Sequence, residues 1–355
     1  MEHKCIIINK PKKIKENNSV IWSCILEFDN TKYVLKNIFH NTNINLIGTT
    51  IDPVVCLLMP IVLCNGYELC SKYPVDRTLH ENLIKLPNAW SKFKCDDKYT
   101  DVKYLWNYPI TDHKYKMPVE KKKTVSTFTG GIDSFYTMLN KKDEITEWIY
   151  INGFDVPLSN KDLFNKVWNS INESKKMFPF IKNIRLISSN IREVCSKISK
   201  QGTEWGFFLF GPAIFSIVHI YNDINLTYIP SSYESTMERR NGSHFFTDYL
   251  YSSSTLEIKT DGDIDRIEKT RELCDKLPKC LDYLRVCWKN PHNSYNCSRC
   301  FKCMRTMYTI YLFDKFNKAI TFDQTFNPNK YISDKSALND PMEKPYVIKL
   351  MNYNK

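Results

Sequence analysis

The chain has 355 residues, 43% of them hydrophobic and 14% aromatic, with only 10 glycines and 16 prolines. Collagen-like and disordered classes are thereby excluded, and two or three domains of roughly 150 residues each are expected. The formal charge of +11 favours anionic partners, but four alanines beside abundant Asn, Lys and Ile suggest an AT-rich genome as the source of many lysines, which discounts that bias.

Residues 1 to about 118 alternate β-like runs at 4–8, 23–28 and 32–35 with two helical patterns. The first begins at Asp52-Pro53, with Asp as a cap and Pro in the first turn, and ends at Asn65-Gly66, with Pro60 a candidate kink. The second runs from Asp76 to Leu86. Neither groups acids, bases or nucleophiles at a catalytic spacing, so this reads as a smaller α+β region without assigned chemistry. Residues 113–123, with five lysines and one proline, read as a linker. Its Lys121-Lys122-Lys123 run is a solvated start to a strand or an anion contact.

Beyond the linker the rhythm changes. Apolar β-like segments at 125–128, 148–151, 184–187, 226–229 and 284–287 are separated by helical patterns near 132–141, 160–177, 190–199, 204–221 and 264–277. That alternation predicts a parallel sheet of five strands with crossover helices, an α/β domain whose ligands bind beyond the carboxyl ends of the strands. The longest nearly apolar run, Trp205 to Ile220, spans 16 residues, short of the ~20 that cross a bilayer, and is expected to be a buried helix. The short apolar stretch after Met1 does not read as a signal peptide. A cytoplasmic, reducing setting follows as the expectation, so the 13 cysteines call for a role other than disulfides.

Two motifs stand at predicted strand ends. Thr129-Gly130-Gly131-Ile132-Asp133-Ser134 links the strand at 125–128 to the helix that follows. Adjacent glycines let the backbone turn tightly and present N–H groups, and the helix start adds partial positive charge. Hydroxyls of Thr129 and Ser134 can donate to phosphate oxygens. Asp133, a carboxylate beside phosphates, is expected to hold Mg²⁺ directly or through water. No Gly-Lys-Ser/Thr follows, so this is not a Walker A loop.

This loop resembles the Ser-Gly-Gly-x-Asp-Ser loop of the PP-loop, or N-type, ATP pyrophosphatases, with Thr129 in place of the first Ser. The resemblance implies that ATP is cleaved between its α- and β-phosphates to adenylate a substrate, with Asp133 and Ser134 serving catalysis and residues 129–134 holding pyrophosphate. It further implies that backbone around Ile151 and Gly153, at the end of the second strand, lies near the adenine. The alternative for Ile151-Asn152-Gly153 is an ordinary turn.

The second motif is Cys287, nine intervening residues, then Cys297, Cys300 and Cys303. Four thiolates at this spacing satisfy tetrahedral Zn²⁺ completely and predict a structural site. Participation of His292, an iron–sulfur cluster or free thiols are the alternatives. Together the two motifs are similar to the 7-cyano-7-deazaguanine synthase group of PP-loop enzymes over about residues 124–316. The implied fold is the adenine nucleotide alpha-hydrolase-like sheet with a four-cysteine zinc knuckle at 287–303, within a domain at 119–320 that is flanked by the region at 1–118 and an extension at 321–355.

The activity implied is that of an ATP-dependent carbon–nitrogen ligase, in which a carboxylate is adenylated and attacked by ammonia or another nitrogen donor. ATP, Mg²⁺ and Zn²⁺ are its cofactors. Candidate substrate residues are Ser231, Ser232 and Glu234 after the fourth strand, Arg239 and Arg240, and Arg266 and Lys269. Each set has a plain alternative as a polar surface loop, and for Arg266 and Lys269 a solvated helix face is the favoured reading. A tRNA-modifying PP-loop enzyme and a non-catalytic nucleotide-binding protein are the competing functions. No membrane partner is expected, and a homo-oligomer is compatible with the sequence.

Overall fold

A computed structural model describes residues 4–93, 104–112, 122–199, 203–237, 241–325, 327, 329–340 and 343–353. The chain forms two compact units that interleave along the sequence: one comprises residues 1–127, 144–154 and 182–261, the other 128–143, 155–181 and 262–355. Arg239, Arg240, Lys121 and most of the predicted linker lie outside the described residues.

Among the described residues the first unit carries every strand, β1 (Cys5–Ile8), β2 (Lys12–Glu16), β3 (Ser19–Phe28), β4 (Thr31–Phe39), β5 (Glu68–Cys70), β6 (Val75–Asp76), β7 (Leu105–Asn107), β8 (Ile110–Thr111), β9 (Lys123–Thr127), β10 (Glu147–Asn152), β11 (Asn183–Ser189), β12 (Ile224–Pro230) and β13 (Glu257–Asp261). Eleven of them make one sheet in the order β13-β12-β9-β10-β11-β4-β3-β1-β5-β7, with β2 also on β3; β6 and β8 pair separately. The run from β13 to β11 is parallel throughout, as the alternating pattern requires. Two expectations fail. The segment at 284–287 is not a strand, and the fifth parallel position is taken by β13 on the edge beside β12. Nor does the sheet stop at five strands: β4 joins β11 antiparallel, pairing Phe39 with Ile187 and Asn37 with Ser189, so the sheet is mixed. Asn190 secures this junction, accepting from Lys36 N–H at 2.7 Å and donating to Val34 O at 2.9 Å.

Within the same unit, α1 (Asp52–Asn65) ends where Gly66 adopts φ +65°, a left-handed cap that glycine fills at low cost. Asp52 does not cap this helix; it accepts instead from Asp76 N–H at 2.9 Å. Asp76 in turn caps α2 (Arg77–Leu83) through Leu79 N–H, and α3 (Leu86–Trp90) follows. The apolar stretch from Trp205 forms a π-helical turn, Trp205–Leu209, that leads into the helix Phe210–His219 packed along α1. Among the described residues no helix is long and apolar enough to cross a membrane. Near the amino ends of the parallel strands a buried guanidinium, Arg185, donates to Glu147 at 2.7 Å and to both oxygens of Asp223 at 2.8 and 2.7 Å, a pairing that satisfies three charges excluded from water. Contrary to the all-thiol expectation, Cys5 and Cys70 on the adjacent strands β1 and β5 form a disulfide.

Helices are numbered along the whole chain. The second unit contains α4 (Ile132–Asn140) and α5 (Lys161–Lys175), whereas α6 (Ile191–Ile198) and the helix Phe210–His219, which is α7, belong to the first. Also in the second unit are α8 (Arg266–Lys276), α9 (Phe301–Leu312) and the C-terminal α10 (Lys330–Ser333), α11 (Lys335–Asn339) and α12 (Lys344–Tyr353). Here α8 packs on α4 and on α9, and α12 on α9. A buried pairing of Arg305 with Glu343, which also accepts from Tyr331 at 2.6 Å, ties α9 to the C-terminal helices.

Candidate functional site

The glycine loop lies between the end of β9 and the first turn of α4. Gly130 adopts φ +76°, a conformation that costs an L side chain roughly 1–2 kcal/mol, and Gly131 is the residue immediately before the helix. Ser134 braces the turn: its Oγ accepts from Gly131 N–H and donates to Gly131 O, each at 3.0 Å. Arg285 N–H donates to Gly130 O at 2.8 Å, anchoring the loop from the segment before the cysteines. Thr129 is exposed, Ile132 is buried and Gly131 is half-buried. A Cβ on Gly131 would lie 3.5 Å from Arg285 O and 3.6 Å from Thr129 Oγ1, ordinary van der Waals contact, so the backbone tolerates a side chain there. The N–H groups of a first helical turn have no acceptors within their own helix, which makes such a turn a donor to anions.

Asp133 points into a basic cluster of the same unit. Arg266 donates to both of its oxygens, Nη2 at 2.6 Å and Nε at 3.3 Å, and Lys269 Nζ lies 3.8 Å away. Burial works against the charged carboxylate, but Arg266 and Lys269 outweigh it and hold Asp133 below the usual carboxylate range. Lys302 is drawn into the same field, its ammonium pushed down by burial and by Arg266. The side chain of Lys269 is 1% exposed, and that of Arg266 is 11% exposed. The solvated-face reading of this pair is therefore overturned: α8 turns both inward, toward α4. Gly262, at φ +87°, makes the space, since a Cβ there would stand 3.0 Å from Lys269 Nζ. Lys302 and Arg285 were missed in the sequence, the first because it sits among cysteines and the second because 284–287 reads as a strand; Gly262 between two aspartates was the available signal for a tight approach.

The other predicted residues fall in the first unit. Ile151 is buried in β10 beside Ile187 of β11, and Gly153, at φ +105°, turns the chain just after that strand. Ser231 is buried, its N–H bonded to Asp261 O at 2.9 Å and its hydroxyl donating to Tyr233 O, so it closes a turn after β12. Ser232 and Glu234 are half-buried in the same turn.

The four cysteines converge. Sγ atoms of Cys287, Cys297, Cys300 and Cys303 all lie within 4.8 Å of one another, and Cys297 Sγ is 3.8 Å from Cys303 Sγ. Tetrahedral zinc with bonds of about 2.3 Å requires sulfur separations of about 3.8 Å, so the donor set fits a Zn²⁺ ion. Hydrogen bonding with Cys303 chiefly brings the Cys300 thiol down to about 5, and the same pairing pushes Cys303 up. Asn296 Oδ1 accepts from Val286 and Cys287 N–H at 2.9 and 3.2 Å, fixing the loop that presents Cys287. His292 does not join the cluster.

Compared with known proteins, the chain matches no family model, no curated protein and no solved structure.

Proposed function

We propose that the protein is an ATP pyrophosphatase of the PP-loop type that activates a carboxylate for attack by a nitrogen nucleophile. The observation that carries this reading is the glycine turn at the head of α4 with Arg266 and Lys269 buried beside it, both drawn to Asp133. Main-chain donors and desolvated cations in one place suit a polyphosphate, whose charge grows on the leaving group as the bond breaks. The carboxylate oxygen attacks the α-phosphorus, and the bond from that phosphorus to the β-phosphate oxygen breaks, so pyrophosphate departs toward the loop. The nitrogen nucleophile then adds to the acyl carbon and expels AMP. No protein nucleophile is required.

Mg²⁺ accompanying the nucleotide would supply charge neutralisation; Asp133 is the carboxylate this chain offers it, and Arg266 already shares both oxygens of that group. Zn²⁺ held by Cys287, Cys297, Cys300 and Cys303 would be structural, since four protein ligands leave it no open position. The resemblance to the 7-cyano-7-deazaguanine synthase group supports 7-carboxy-7-deazaguanine as the first substrate to test.

The test pairs ATP labelled at the α-phosphate with 7-carboxy-7-deazaguanine, ammonia and a pool of other carboxylates. Labelled AMP with stoichiometric pyrophosphate is the expected product. Labelled ADP as the main product would overturn the mechanism, whereas AMP formed with another carboxylate would retain the mechanism and discard the deazaguanine substrate.

A further inference from the structure

Among the described residues, Arg285 is a buried cation without a counter-ion. The residue is 5% exposed, yet its guanidinium makes one hydrogen bond, Nη2 to Asn290 Oδ1 at 2.7 Å, and lies 6.0 Å from the centre of the Tyr295 ring. Its Nε is buried with no acceptor, and among the described residues no carboxylate pairs with it. The two other poorly exposed arginines of the same unit are paired, Arg266 with Asp133 and Arg305 with Glu343. Burying a charge without a partner is costly, and a guanidinium cannot escape by losing its proton. The residue nevertheless stands against the glycine loop: its own N–H donates to Gly130 O at 2.8 Å, and its Cβ and carbonyl oxygen lie 3.8 and 3.5 Å from where side chains on Gly130 and Gly131 would begin. Asn290, which orients the fork, is itself held in a left-handed conformation at φ +47° and donates to Asp155 O at 2.6 Å.

We propose that Arg285 is an anion-binding residue of the glycine loop whose missing partner is a phosphate oxygen of the nucleotide or of pyrophosphate. The proposal rests on reading residues 129–134 as a phosphate cradle and adds to it a planar, bidentate donor that the loop motif does not contain. It also explains why the loop is fastened to the segment before Cys287: the same residue ties the turn by its backbone and faces the ligand's charge with its side chain.

Pyrophosphate is the probe, titrated calorimetrically into the full zinc-loaded chain and into Arg285→Met, Arg285→Lys and Gly131→Val, with ligand-free Tm and zinc content measured for each. Arg285→Met should weaken pyrophosphate binding by about tenfold or more, the scale of a charge-assisted hydrogen bond, while its ligand-free Tm stays level or rises because an uncompensated buried charge is gone. Arg285→Lys, which keeps the charge and loses the fork, should fall between Met and wild type; should the Met variant fold poorly, this comparison decides. Wild-type affinity in both Arg285 variants, with binding lost in Gly131→Val, would overturn the proposal and leave the loop reading standing. Wild-type affinity in Gly131→Val, or no binding to the wild type, would overturn both. A Tm lowered by several degrees in Arg285→Met with binding unchanged would make Arg285 structural.

Discussion

Asp133 joins a packing role, as the partner of Arg266 and Lys269, to the chemistry proposed for it. Its carboxylate neutralises Arg266 and faces Lys269, so two cations are held beside the loop. Asp133→Asn keeps the shape but leaves Arg266 without its charge partner. With the side chain only 18% exposed, this should cost about 2 kcal/mol of stability, below the full cost of breaking a wholly buried pair, and cut AMP formation by a factor on the order of a hundred. Melting curves and the α-label assay check the two effects. A double-mutant cycle with Arg266→Met should be non-additive, and strict additivity would mean the two residues act separately. Because the Asp133 carboxyl is held below its ordinary value, its stabilising contribution is present above the unfolded carboxyl's range near 4 and is lost only as pH falls through the lower folded value. The pair therefore stays charged across neutral pH.

At the scale of elements, the two glycines of the turn have different jobs. Gly130 supplies a backbone angle and Gly131 supplies space. Gly130→Ala should lower stability by about 1–2 kcal/mol through φ strain, visible as a lower Tm. Gly131→Val should melt within a few degrees of wild type and lose ATP binding by calorimetry; unchanged affinity would remove the loop from the site. The cysteine element makes a separate prediction. Cys300→Ser removes one of four ligands, so zinc content should fall from one per chain toward zero and the unit containing α9 should unfold at lower temperature. Elemental analysis that finds iron, or no metal in folded wild-type protein, would contradict the zinc assignment.

At the scale of the molecule, the sheet binds the N-terminal residues to the parallel strands. Removing residues 1–118 would strip β4 from β11 and expose backbone groups now paired between Asn37–Phe39 and Ile187–Ser189, an open edge of the kind that drives aggregation. A fragment of 119–355 is expected to be insoluble or to associate. A soluble monomer with a cooperative melt would show that the junction is dispensable.

What the sequence determined by itself is local. The positions of β9 to β12 and of helices α4 to α8 follow from alternating apolar runs and turn signals, and the cysteine cluster follows from spacing alone, because two-residue gaps leave few other uses for thiols so placed. Long-range pairing was not legible. That 284–287, which reads as β, is coil while Glu257–Asp261, which no apolar run marks because Ile258 is its one apolar residue, forms the edge strand depends on which segment reaches the sheet. The junction of β4 with β11 likewise depends on partners some 150 positions apart, for which no local pattern exists. The inward turn of Arg266 and Lys269 was hidden for a related reason. Charged residues on a helix are by default solvated, and only the packing of α8 against α4, with Gly262 leaving room for the lysine and Asp133 supplying the opposing charge, makes their burial affordable.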